Sequence, residues 1–322
     1  MMTLQPASLR RLADERLGGI SYNPKKLVLW HSAVALGASL AIALMNYVCD
    51  LMIDNTGGLS GMGMRSILST LQAFFTNGLN FAFPFWNIGL VYCALGWENG
   101  NSATPKDLLQ GFRRFGSVLG LQLITGGILL ILGFAVFQIS SMIFMLTPFS
   151  APFVALLEPM LQNGGLQPDT LPSQEALMAM GEAMLPLLLL FGALYCAVCV
   201  VVFYRLRFAK FALMEGMGSV GAVVHSFRIT KKQSLKIFRL DLSFWWFYLL
   251  QMLTVAISYG SLLLEVFGVG LPISADASDM LFLALSNGCQ CALLWQYQSH
   301  VSATYCLAYR VLSPRPSEAN EV

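Results

Sequence analysis

The sequence predicts an all-α polytopic integral membrane helical bundle, with six transmembrane helices and amphipathic helices at the cytoplasmic surface. Three observations carry that expectation. Of the 322 residues, 56% are hydrophobic and only 11% charged, whereas a soluble domain carries about a quarter charged residues. The apolar residues gather into long blocks, and mean hydropathy reaches +0.65. Of the 19 Lys and Arg residues, 18 fall in alternate connections between those blocks and one, Arg65, in the others.

A helix needs about 20 apolar residues to cross about 30 Å of hydrocarbon at about 1.5 Å per residue. Blocks at 27–49, 68–97, 116–147, 184–204 and 237–264 satisfy this requirement. A sixth, 280–311, is more polar. Its "NGCQCALLWQYQSHVSATYCLAY" has no acidic or basic side chain apart from His300, and its amides are tolerable if they face other helices. Basic connections stay in the cytoplasm, so both termini are expected inside. The chain then divides into a cytoplasmic segment 1–26, a transmembrane domain 27–312 and a cytoplasmic tail 313–322. A cytoplasmic elbow at 205–239 and an outer loop at 148–183 belong to the domain.

Segment 1–26 has no apolar core of a cleavable leader, so the first span is expected to serve as an uncleaved anchor. In "PASLRRLADERLGG", Leu9, Leu12, Ala13 and Leu17 recur at helical spacing and Gly18-Gly19 stops the turn. This predicts a basic amphipathic helix lying on the inner membrane surface. Before the third span, Thr104 is positioned as an N-cap, with Pro105 at the first helical position and Asp107 in the first turn. Before the fifth, Val220, Val223, Val224 and Phe227 form one apolar stripe, expected to pack against the inner ends of spans 4 and 5. The outer loop carries Glu158, Asp169, Glu175 and Glu182 without a basic residue, and reads as a turn followed by a helix N-capped by Ser173.

The elbow ends in "KKQSLKIFRLDLSFWWFYLLQM". Lys231, Lys232, Lys236 and Arg239 suit anionic phosphate at the inner leaflet, and Trp245 and Trp246 suit the headgroup level. Asp241 is expected in the first turns of span 5, facing the helix's positive end and Arg239. A bilayer, anionic on the cytoplasmic side, is therefore the expected partner; a net charge of +2 gives no reason to invoke nucleic acid.

Catalysis is not expected. Neither H-E-x-x-H, G-x-S-x-G nor a Gly-rich phosphate loop occurs, and Asp50 and Glu98 fall near span ends, where charge costs little. Seven cysteines lie in or beside apolar blocks, which suits packing rather than disulfides. No metal site or cofactor is expected: Cys196-x-x-Cys199 sits at lipid depth, and Met178, Met180 and Met184 have no His or Cys beside them.

From "RFAKFALMEGMGSVGAVVHSFRITKKQSLKIFRLDLSFWWFYLL" the chain resembles the bacterial multi-pass membrane proteins of the domain-of-unknown-function 975 family. Phe211, Ala212, Ser226, Lys231, Lys232, Leu235, Phe238, Leu240, Leu242, Ser243 and Phe244 carry the resemblance, with Trp245 or Trp246 as its tryptophan. It implies a helical protein of a bacterial inner membrane, without an assigned activity. Two functional expectations stand beside it. One is a non-catalytic membrane organiser that interacts with lipid or partner proteins. The other is a transporter or channel for a small polar solute, whose path would use Asn80, Asn87, Gln251, Asn287, Gln298 and His300.

Overall fold

The computed structural model describes residues 4–54, 59–151, 153–154, 174–266 and 275–313. These residues form helices and no strand. In chain order the helices are α1 (Pro6–Gly18), α2 (Pro24–Asp54), α3 (Leu59–Glu98), α4 (Gln110–Arg113), α5 (Phe115–Met145) and α6 (Gln174–Leu206). There follow α7 (Ala209–Met214), α8 (Ser219–Thr230), α9 (Ser234–Leu242), α10 (Trp245–Ser258), α11 (Gly260–Val266) and α12 (Ala275–Leu312). The expected turn of the outer loop, Glu158, Asp169, the Ser173 cap and the tail beyond Ser313 lie outside the described residues.

Among the described residues, four stretches are long and apolar enough to cross a bilayer: Pro24–Cys49, Ser66–Glu98, Phe115–Met145 and Met184–Met214. A fifth counts if α9 and α10 are taken together. They are not the continuous helix expected over 237–264, because they meet at a 66° bend. The break falls at Ser243 and Phe244, without Pro or Gly. Ser243 Oγ donates to the Leu240 carbonyl at 2.7 Å, and such back-bonding bends helices. Phe244 then leaves helical geometry at φ −109°, ψ 19°. The sixth block is a single helix, α12, of 38 residues. It has the length to span but not the apolarity of the other four.

The chain forms two compact units, residues 1–121 with 208–322, and residues 122–207. In the smaller unit Phe191 lies edge-on to Phe137 at 5.7 Å and stacks on Tyr195 at 5.5 Å. Gly133 faces the Tyr195 ring, where a side chain would crowd it.

In the larger unit α12 is the shaft. From Ser299 to Arg310 it buries Ser299, Val301, Ala303, Thr304, Tyr305, Cys306, Leu307, Ala308 and Tyr309. It packs against α1, α2, α3 and α10. The end of α3 is equally dense, with Phe85, Ile88, Cys93, Ala94 and Trp97 almost fully buried. There Gly89 and Gly111 let two backbones touch. A Cβ on Gly89 would run into the Leu108 carbonyl, and one on Gly111 into the Phe85 carbonyl. Thr104 takes the anticipated N-cap position and, beyond that expectation, forms a capping box with Asp107, whose Oδ2 accepts from the Thr104 N–H at 2.7 Å and from its hydroxyl at 2.9 Å.

The apolar stripe of α1 is present, but protein covers it. Leu9 and Ala13 are buried, and α1 packs on α12 and α3 instead of offering that stripe to a membrane surface. On α8 the expected stripe is turned outward. Val220 is 66% and Val224 51% exposed, while Ala222, Val223, Ser226 and Thr230 face inward. Only Val223 of the four anticipated residues is buried. Small and hydroxyl-bearing residues allow close helix contact and internal hydrogen bonds: Ser226 Oγ accepts from the Phe208 N–H at 3.3 Å, and Thr230 donates to the Ser226 carbonyl at 2.7 Å.

Candidate functional site

The elbow helices α8 and α9 share one plan. On α9, Ile237 and Leu240 point inward, while Leu235, Phe238 and Leu242, at i, i+3 and i+7, form an exposed apolar ridge. Lys236 and Arg239 are exposed alongside it. On α8, Val220, Val224 and Phe227 make the exposed ridge, and Arg228 is exposed beside them. Lys231 and Lys232 are exposed in the intervening turn. Lys232 there adopts φ 67°, a left-handed conformation unfavourable for a residue with a Cβ.

All four basic residues anticipated for the surface, Lys231, Lys232, Lys236 and Arg239, are thus on the exterior. Of the two tryptophans, Trp245 is 59% exposed. Trp246 packs edge-on against Tyr297, with ring centroids 4.4 Å apart. Asp241 departs from expectation. It sits at the C-terminal end of α9, not in the first turns of a span, and accepts a hydrogen bond from the Tyr305 hydroxyl of α12. Tyr305 and Tyr248 hydroxyls lie 3.0 Å apart. The carboxylate therefore fastens the bend to the shaft.

The six residues of the anticipated polar path have separate surroundings. Asn80 and Asn87 are exposed and Gln251 half-buried. Asn287 donates to Ser39 Oγ at 3.4 Å, and Gln298 to Ser302 Oγ one turn along its own helix at 3.3 Å. His300 pairs with Asp14 of α1 at 2.5 Å, both side chains partly exposed. Tertiary packing brings an N-terminal carboxylate to a histidine that the sequence places at lipid depth.

A second constellation escaped the sequence reading. Arg310, near the end of α12, has a side chain only 8% exposed. Its Nε donates to Glu98 Oε2 at 3.1 Å, and its Nη1 pairs with Glu215 Oε1. Tyr309 donates its hydroxyl to Glu215 Oε2 at 2.5 Å, and its ring stacks on Phe211 at 5.6 Å. The ends of α3, α7 and α12 are clasped through one guanidinium, whose planar fork suits two carboxylates. Glu98 is 13% exposed, so its charge is held by a partner and not by solvent. Acids and bases spaced by about 95 to 212 residues leave no local pattern from which this pairing could have been read.

Beside the clasp lies a cavity of about 460 Å³. Asp107, Glu215 and Arg310 supply its charges, and Tyr92, Asn101 and Ser102 add polar groups. None of the six anticipated path residues lines it. Among the described residues no group of three or more His, Cys, Asp or Glu side chains could hold a metal ion.

Comparison of the chain with protein-family models, curated proteins and solved structures returns no match.

Proposed function

We propose that this protein is a non-catalytic membrane organiser, anchored by six spans with both termini in the cytoplasm of a bacterial cell, whose elbow seats on anionic lipid. The resemblance to the domain-of-unknown-function 975 family belongs to the same proposal. The observation that carries it is the exposed apolar ridge on α8 and α9 with cations beside it. Three faces on one short helix need three environments. Ile237 and Leu240 take the protein. Leu235, Phe238 and Leu242 would order water if left exposed, at about 25 cal/mol per Å² of apolar surface. Acyl chains at the interface relieve that cost, and Lys236 and Arg239 beside the ridge reach the phosphates, each gaining about 1 kcal/mol near an anionic leaflet.

Lipid retention tests this directly. The full chain, purified in mild detergent from membranes of mixed lipid, should retain anionic phospholipid in preference to zwitterionic, and lose that preference as salt rises. The variant Lys231→Gln/Lys232→Gln/Lys236→Gln should retain much less. Equal retention by parent and variant at low salt would remove the lipid part of the proposal.

A further inference from the structure

The cavity beside the clasp differs in sign from the elbow surface, and this points to a ligand of another kind. We propose that it binds a primary ammonium group, either of a free small amine or of a lipid headgroup. Its volume, about 460 Å³, lies within the range of about 300–1,000 Å³ usual for small-ligand sites.

The charges around it are unbalanced. Among the lining residues Arg310 is the cation, and it is already engaged by Glu98 behind the wall and by Glu215 in it. Asp107 is the third carboxylate. Within the lining, the two carboxylates Asp107 and Glu215 face one guanidinium, a surplus of one negative charge. Asp107 Oδ2 receives both capping hydrogen bonds; its Oδ1 accepts none from a described residue. Tyr92, Asn101 and Ser102 likewise make no side-chain hydrogen bond to another described residue, so three further polar side chains on the walls have capacity for a guest.

This lining selects by charge. A phosphate or carboxylate would meet Asp107 and Glu215 with like sign, while the one guanidinium that could attract it is committed to its own acids. A metal ion lacks the cluster of three ligating side chains among the described residues. An ammonium group offers donors to the open Asp107 oxygen, the Asn101 amide oxygen and the Ser102 hydroxyl, and neutralises the surplus. Access is through the connection at 99–102, which is exposed throughout.

The test uses the full chain with two probes, 1,4-diaminobutane and ethanolamine, titrated calorimetrically in non-ionic detergent. In a second arm the protein is placed in nanodiscs containing either phosphatidylethanolamine or phosphatidylcholine, and its thermal midpoint is measured. Saturable binding of the free amines, weakened about tenfold by Asp107→Asn as the surplus charge of the lining is lost, supports a soluble ligand. Stabilisation by phosphatidylethanolamine alone, lost in the same variant, assigns the ammonium to a headgroup. Asn retains an oxygen for the Thr104 cap; if that variant nonetheless fails to fold, Asn101→Ala, on the exposed connection, decides with the same two readouts. The proposal is overturned if neither arm shows binding, if parent and variants bind equally, or if inorganic phosphate displaces the amines.

Discussion

Replacing Arg310 by methionine takes the guanidinium away from two carboxylates, Glu98 and Glu215. Methionine keeps much of the stem volume, so the substitution mainly removes charge and hydrogen bonds. Glu98, 13% exposed, loses its Arg310 partner, and Glu215, 24% exposed, retains the Tyr309 hydroxyl. Breaking a buried pair in this way costs about 3–5 kcal/mol, whereas removing every charge of such a cluster is often close to neutral. Arg310→Met should therefore lower the unfolding free energy by about 3–5 kcal/mol, and adding Glu98→Gln and Glu215→Gln should restore more than half of that loss. Denaturant unfolding of the full chain in mixed micelles, followed by far-ultraviolet circular dichroism, measures both differences. The glutamines matter because they separate loss of packing from loss of charge compensation. If the single variant unfolds within about 1 kcal/mol of the parent, or the triple variant is no more stable than the single, the clasp does not hold α3, α7 and α12 together electrostatically.

Gly89→Ala should cost about 1–3 kcal/mol or more in the same unfolding assay, because the added methyl meets the Leu108 backbone instead of a side chain that could move aside; Gly78→Ala, with open space around it, is the control and should be neutral or stabilising. Ala222→Asp, on the fully buried face of α8, should prevent stable folding in detergent. Val224→Asp, half exposed, should fold in detergent and lose anionic-lipid retention, and equal damage from the two would contradict the outward orientation of the ridge. Lys232→Gly should raise stability by up to about 1 kcal/mol, since glycine adopts φ 67° without the Cβ penalty; a lower denaturation midpoint in the variant would show that the left-handed turn costs nothing.

What could be read from the sequence alone was the class of the molecule and the composition of its parts. Helices, apolar lengths, the N-cap position of Thr104 and the stop of α1 at Gly18 depend on residues within a few positions of one another, so a linear reading reaches them. The exteriors of Lys231, Lys232, Lys236 and Arg239 follow from the cost of burying unpaired charge. Periodicity identified an apolar stripe on α8 but not what it meets. The reading assumed the logic of a soluble helix, with the apolar face inward. The small and hydroxyl-bearing residues Ala222, Ser226 and Thr230, which allow close helix contact, took the inward place instead. That Asp241 would fasten the bend at Ser243 to Tyr305, 64 residues away, has no local signal. The clasp of Arg310 with Glu98 and Glu215, the pairing of His300 with Asp14 and the cavity between Asp107 and Glu215 were decided only by tertiary structure. A charge's partner is set by distance in space: Arg310 meets Glu98 across 212 residues of chain, a separation that no local pattern encodes.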